Sequence, residues 1–363
     1  MTEARSTVWL ASAKPERMEQ DCTLPAKFMR LLGRLPLRER VQGRTVAIKM
    51  HLGGELGYST VHPLFVKLLV DHIRQGRPRD VFITDGSVRT AGDRGYARQT
   101  VGARLVSSVG EEGRDTVVRD TKWPALGRVR VSRPVLEADV LVNFSHVKGH
   151  GACGFGGACK NLAMGCVPNP ERRRMHELEG RLIWHRRKCV YCRKCIEACQ
   201  IHANEFTEDR VYEIMWHHCK GCLHCLLACP TGAIGLVKRN FRRFQEGLGR
   251  VAMLVLKPFD PADVFHINAL THVTLFCDCW GFTTPALVPD VGILASQDIV
   301  AVEQASLDRI RVRDLIPGSV TPPYRLGKGR HLFERLHAKD PYLQVRTLER
   351  LGAGRSAYRI ESV

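Results

Sequence analysis

The chain has 363 residues, 44% of them hydrophobic and 25% charged, with a formal net charge of +18. Such length and apolar content exclude a disordered chain or a small disulfide scaffold, and predict two or three domains with a packed core. No apolar run approaches a membrane span (251–256 is among the longest) and no signal peptide opens the chain, so no membrane contact and a place in the cytoplasm are expected.

Taken in order, Ser6–Ser12 predicts a first strand and Thr45–Met50 a second, followed by a glycine-rich loop at 51–58. Leu64, Leu68, Leu69 and Ile73 recur at helical spacing within 63–74. Residues 80–84 read as a strand that ends at the turn pair Asp85 and Gly86. Strand, helix, strand predicts parallel pairing with a right-handed crossover. Residues 93–109 are expected to be helical, 116–119 and 128–131 to be strand-like, and 138–144 to be a buried strand. Together, residues 1–180 supply most of an open α/β sheet with helices on both faces.

Ligands of such sheets sit at strand ends. Residues 145–166 follow one directly, with six glycines, His146, Lys148, His150, Lys160, Asn161, Cys153, Cys159 and Cys166. Glycines let a backbone approach something closely, and the cationic side chains suit a small anionic substrate. Lys148, His150, Lys160 and Asn161 are therefore the candidate catalytic residues: Lys148 and Lys160 to hold and polarise the anion, His150 to donate a proton. A flexible turn with core cysteines is the alternative. Neither the Walker pattern nor a Gly-x-Gly-x-x-Gly fingerprint is present, so nucleotide cofactors have no support.

The strongest signal lies at 189–230. Cys189, Cys192, Cys195 and Cys199 are followed by Cys219, Cys222, Cys225, Cys229 and Pro230, and each half reads C-x2-C-x2-C-x3-C. Three thiolates of each half surround one cubane, and the fourth reaches the neighbouring cluster. The pattern predicts one [4Fe–4S] cluster on Cys189, Cys192, Cys195 and Cys229, and a second on Cys219, Cys222, Cys225 and Cys199. Paired zinc sites use C-x2-C pairs without the third and fourth cysteine. Gln200, where the first half often has proline, is not a ligand. Ligand-spaced thiols belong in a reducing cytoplasm, and exposed clusters suit an anaerobic or microaerobic cell. Basic runs at 172–174, 186–188, 238–239 and 242–243 flank the insert. They would steer an acidic electron donor such as a ferredoxin or a flavodoxin; a solvated arginine-rich surface is the alternative.

Beyond the insert, 241–257 reads as a helix and 273–276 as a strand ending in Cys277, Asp278, Cys279 and Trp280. Residues 299–310 read as a helix capped near 296–298, 311–330 as loop, and 341–351 as a closing helix. Two cysteines spaced C-x-C at a strand end share a face. With Cys166 they could bind a third cluster with one open iron, for which Cys153, Cys159 or His176 would be the fourth ligand. Zinc and plain buried thiols are the alternatives.

These stretches together carry a pattern: 146–150, 154–157, 160–166, the double ferredoxin motif, Cys277 with Cys279, 289–296 and 340–343. In this order they resemble the DUF362 family, and within it the branch of uncharacterised Fe–S center proteins, over about residues 47–358. The resemblance implies a DUF362-like α/β domain, with an open mixed or parallel sheet and helices on both faces, interrupted by a small α+β bacterial-ferredoxin-like domain. The expected division is 1–183, 184–238 for the insert, and 239–363 with a C-terminal helix. Cys153 and Cys159 depart from the family pattern, where a small or apolar residue is expected, as does Glu303, where Asp is expected. The resemblance supplies no reaction. The expected function is an iron–sulfur oxidoreductase that passes electrons from an acidic donor to a site in the α/β domain. A non-enzymatic electron-transfer subunit or cluster carrier is the alternative. An RNA-thiolating protein fits the charge, but no aromatic-rich RNA-binding pattern accompanies it, so nucleic acid is not an expected partner.

Overall fold

Alternation along the strands decides how the chain is layered. The computed structural model describes residues 5–53, 57–179, 181–199, 202–214, 224–237, 242–280, 283–322 and 324–363. Eight segments form one sheet: β1 (Ser6–Ser12), β2 (Thr45–Met50), β3 (Asp80–Asp85), β4 (Arg104–Ser107), β5 (Val140–His146), β6 (Val264–Leu270), β7 (Gly292–Ser296) and β8 (Tyr358–Ser362). Their spatial order is β8-β1-β7-β6-β5-β2-β3-β4. Strands β2 to β6 run parallel, β8 runs parallel to β1, and β7 is antiparallel to both of its neighbours.

Val46, Ile48 and Met50 of β2, Val140, Val142 and Phe144 of β5, and Phe265 and Ile267 of β6 face one side. There α1 (Leu24–Leu32) and α2 (Pro63–Gln75) bury Phe28, Leu31, Leu69 and Ile73 against them. Ala47 and Leu141 face the other side, beneath α3 (Ala158–Gly165), α5 (Arg243–Leu256), α6 (Ile299–Asp308) and α7 (Tyr342–Arg350), with α4 (Asn169–Glu177) beside α5. Burial on both faces explains why β5 reads as a nearly continuous apolar run. Lys49, Asn143, Ser145, His266 and Asn268 share the parity of Ala47, Leu141 and Val264, so the second face carries a buried polar row.

Four expectations need correction. Residues 93–109 are not one helix. Gly95 and Gly102 adopt φ of 77° and 79° and stop two short turns, and the chain then enters edge strand β4. Residues 145–166 are more than a glycine loop: Lys148–His150 pairs with Gly154–Gly156, and α3 follows. The strand expected at 273–276 is only an isolated bridge between Thr274 and Ala286. The true strand is β6 upstream, where His266 and Asn268 interrupt the apolar run because they face the polar row. Helix α7 does not close the fold, because β8 follows it as an edge strand.

The strands of the insert form two small antiparallel pairs, and the first of them begins at Arg181 rather than at the expected boundary of 184. Arg181–Trp184 pairs with Ile234–Val237, and Asn204–Phe206 with Tyr212–Ile214, both antiparallel. Leu182, Cys195, Tyr212, Cys225 and Ile234 form its core. It meets the main domain where Tyr324 Oη lies 3.1 Å from His224 Nε2 and the Tyr324 ring packs edge-on against Phe276.

Glu303 of α6 is fully buried, and its Oε1 accepts from the Cys159 backbone N–H at 2.8 Å. Its Oε2 has no hydrogen-bond partner among the described residues. Burial pushes this carboxyl up to about 8, outweighing the backbone donors at the start of α3. Between the ordinary value of 4.5 and about 8 the unfolded chain has lost this proton and the folded chain keeps it, so stability falls as pH rises across that window. Glu303→Gln keeps the acceptor and is expected to flatten this fall. Urea midpoints across the window check it, and an unchanged slope would show that Glu303 is ionised in the fold.

Candidate functional site

Polar residues of the second sheet face meet α3 at the C-terminal strand ends. Lys49, inaccessible to solvent, donates to Asp85 Oδ1 at 3.0 Å and to Asn161 Oδ1 at 2.8 Å. Asn161 in turn donates to the Lys49 carbonyl at 2.9 Å and to Asn143 Oδ1 at 2.7 Å. Asp85 Oδ2 takes His51 Nδ1 at 2.8 Å and the Leu52 N–H at 3.1 Å. Burial raises the Asp85 carboxyl, but Lys49 and His51 outweigh it and hold the group well below the usual carboxylate range. Gly165 of α3 packs onto the Lys49 ammonium, leaving no room for a side chain there.

A second buried network surrounds Asp278. Its Oδ2 accepts from Lys148 Nζ and from His146 Nδ1 at 2.9 Å, and its Oδ1 from Ser59 Oγ at 2.9 Å. His146 Nε2 reaches the Thr271 carbonyl at 2.7 Å. Burial pushes Asp278 up, and Lys148 and His146 together hold it well below the usual range.

Cys277 and Cys279 flank Asp278 on a tight turn, Asp278–Trp280, rather than on a strand. They converge nonetheless. Lys160 Nζ lies 3.4 Å from Cys277 Sγ and 3.8 Å from Cys279 Sγ. His150 Nε2 lies 3.8 Å from Cys279 Sγ. Metal-ligating atoms of His150, Cys277 and Cys279 all lie within 4.8 Å of one another. Burial raises the Cys277 thiol to about 11, with Lys160 opposing it. Cys166, expected as the third thiol, is not in this group. Its charged neighbours are Lys49, Asp85 and Arg172, and burial raises it to about 12. Cys153 is fully buried with its Sγ 3.2 Å from the Phe155 carbonyl, Cys159 is buried beside Glu303, and the His176 ring stacks on Phe244 at 4.4 Å.

Both networks and the thiol pair open on a cavity of about 1010 Å³. Lys148, His150, Lys160, Asn161, Cys277 and Cys279 all line it, so the expected catalytic residues come together at one place. Among the described residues, five Lys and Arg (Lys148, Lys160, Arg172, Arg173, Arg174) line it against two carboxylates, Asp85 and Glu177. Ile214 of the insert forms part of the wall. Sequence reasoning misses Lys49, His51, Asp85, Arg172 and Asp278 as site residues. A lysine inside an apolar strand and an aspartate at a strand end are the signals that could have found them.

In the insert, Cys189, Cys192, Cys195 and Cys229 line one cavity together with Trp184, Phe206 and Tyr212. Burial raises the Cys195 thiol to about 11. At Cys229 burial also raises the thiol, but backbone donors at Ile234, Ala233 and Thr231 outweigh it and lower the group. Cys199 and Cys225 are buried, and the Ala203 N–H points at Cys199 Sγ at 3.1 Å. Cys219 and Cys222, like Gln200, Lys238 and Arg239, lie outside the described residues. No helix among the described residues is long and apolar enough to cross a membrane.

Over short stretches the sequence is similar to a ferredoxin and to a subunit of a redox enzyme. It is 38% identical over 53 residues to pyruvate synthase subunit PorD of Methanocaldococcus jannaschii, covering 15% of this protein and 62% of that one. It is 35% identical over 46 residues to a ferredoxin of Pyrobaculum islandicum, covering 13% and 43%. It thus spans less than two thirds of either relative. Among solved structures, the lactate racemase apoprotein from Thermoanaerobacterium thermosaccharolyticum is similar with a TM-score of 0.38 and 14% identity, over 73% of this protein and 51% of that one. The profile of the family described as "Domain of unknown function (DUF362)" matches residues 46–308, from β2 through α6 and across the insert, and the chain therefore belongs to the DUF362 family.

Proposed function

We propose that this chain is an iron–sulfur redox protein, in which residues 181–238 carry two [4Fe–4S] clusters and the DUF362-like domain, 1–180 with 239–363, offers a cationic cavity to a small anion. The observation that carries this reading is the single cavity lined by Cys189, Cys192, Cys195 and Cys229, the four thiols that the spacing assigns to one cluster. The short similarities to pyruvate synthase subunit PorD and to a ferredoxin support the same chemistry. The second set would be Cys199, Cys219, Cys222 and Cys225. Bound there, the clusters would supply one-electron transfer.

The chain's own residues do the rest. Trp184, Phe206 and Tyr212 wall the cavity of the first thiol set on its apolar side, and the backbone donors at 231–234 favour the thiolate form of Cys229. In the large cavity Lys160 and Arg172 attract the anion. Lys148 and Asn161 are held rigid by Asp278 and by Lys49, so their ends are fixed before a substrate arrives. Exposed Arg186, Arg187 and Lys188 beside Cys189 suit an acidic donor of the ferredoxin or flavodoxin kind. Two buried charge networks around a cavity favour an oxidoreductase over a plain electron carrier, which needs neither. Anaerobic preparations are expected to hold about eight irons and eight sulfides per chain and to give a paramagnetic signal on reduction. Colourless, iron-free protein that still folds would defeat the proposal.

A further inference from the structure

We propose that Cys277, Cys279 and His150 hold one thiophilic divalent cation of the zinc class at the wall of the large cavity, with the remaining coordination position open to an anion. The proposal is independent of the clusters in the insert.

Distances decide between a single ion and a cluster. With Zn–S bonds of about 2.3 Å and Zn–N bonds of about 2.0 Å, donors around one tetrahedral ion lie about 3.5–3.8 Å apart. His150 Nε2 and Cys279 Sγ are 3.8 Å apart, and all three donors fall within 4.8 Å. Thiolates on different irons of a cubane are kept farther apart by the edge of the cube itself. The expected third thiol, Cys166, is outside the group, and a histidine nitrogen takes its place, a donor set that suits zinc. Three protein donors and one open position is the pattern of reactive zinc sites, whereas structural sites use four.

The surroundings are consistent with this. Lys160 donates to Cys277 Sγ at 3.4 Å, the kind of hydrogen bond that supports a bound thiolate. Two thiolates, a dication and the Lys160 ammonium sum to one positive charge, which suits an anionic fourth ligand. His150 Nδ1 faces the Ala152 N–H at 3.2 Å. A cation on Nε2 would require the ring proton on Nδ1, where the Ala152 N–H sits, so the backbone at 151–153 would have to turn to admit it.

The test uses full-length protein purified without oxygen, incubated with zinc chloride and desalted. Zinc and iron are counted, and X-ray absorption is recorded at the zinc edge, which does not see iron. The wild type is expected to retain about one zinc per chain with two sulfur neighbours at about 2.3 Å and nitrogen or oxygen at about 2.0 Å. Cys277→Ser/Cys279→Ser and His150→Gln are expected to bind zinc at least about ten-fold more weakly while keeping the iron of the insert, which reports that they are folded. Cys166→Ser is expected to bind like the wild type. The proposal is overturned if the wild type takes up no zinc, or if the Cys277→Ser/Cys279→Ser variant keeps it. A wild-type iron content of about twelve that falls to about eight in that variant would also overturn it, in favour of a third cluster. Loss of the insert's iron alone would count against the two-cluster reading and leave the zinc result standing.

Discussion

Cys229→Ser is expected to remove about half of the iron, from about eight atoms per chain to about four, and to leave the same spectrum as Cys189→Ser. The prediction turns on which thiols share a cluster. If each half of the motif bound its own cluster, Cys189→Ser would match Cys199→Ser, because both residues belong to the first half. The cavity lined by Cys189, Cys192, Cys195 and Cys229 crosses the halves instead, and Cys199 is not part of its wall. Cys199→Ser should therefore lose the other cluster and give a different spectrum. Iron analysis and low-temperature paramagnetic spectra of the three variants settle the pairing. Matching spectra for Cys189→Ser and Cys199→Ser would mean that each half closes on itself.

Asp278→Asn is expected to cost about 3–5 kcal/mol of stability, read from urea midpoints at neutral pH, because it removes the carboxylate from a buried charge group. The Lys148 and Asp278 side chains are 3% and 1% exposed, so water cannot take over the lost role. His146, Lys148 and Ser59 all donate to this one carboxylate. The pH profile gives a second readout. Asp278 is held well below its ordinary value of 3.8, so its contribution is complete above that value and disappears as pH falls through the lower, folded-state value. The parent should lose this stability only in strong acid, and the variant should lack that step. A variant as stable as the parent at pH 7 would mean that Lys148 and His146 find other partners.

Much of this was readable beforehand because its signals are local. The cluster motif depends only on spacing, and β2, α2, β3 and β5 follow from periodicity within a few residues. Strand β6 was not readable in that way. Its His266 and Asn268 look wrong for a central strand until the polar row on the second sheet face is known. The cavity shows the same division. Lys148, His150, Lys160 and Asn161 stand in one glycine-rich stretch, so a short window finds them. Lys49 and Asp85 come from neighbouring strands, and Asp278 from beyond the insert, and only the sheet order brings them close. The third donor beside Cys277 and Cys279 was expected to be Cys166. Sequence supplies the types of ligand, but the turn at 278–280 and the hairpin at 148–156 decide which nitrogen or sulfur arrives.

The position of β1 has a consequence for biosynthesis. Its ladder partners are β7 and β8, both encoded after the insert. As the ribosome releases the chain, this strand must wait for its partner Gly292–Ser296, which begins 280 positions after Ser12, before it can pair. The ferredoxin-like segment emerges during that delay, before this edge of the larger sheet is sealed.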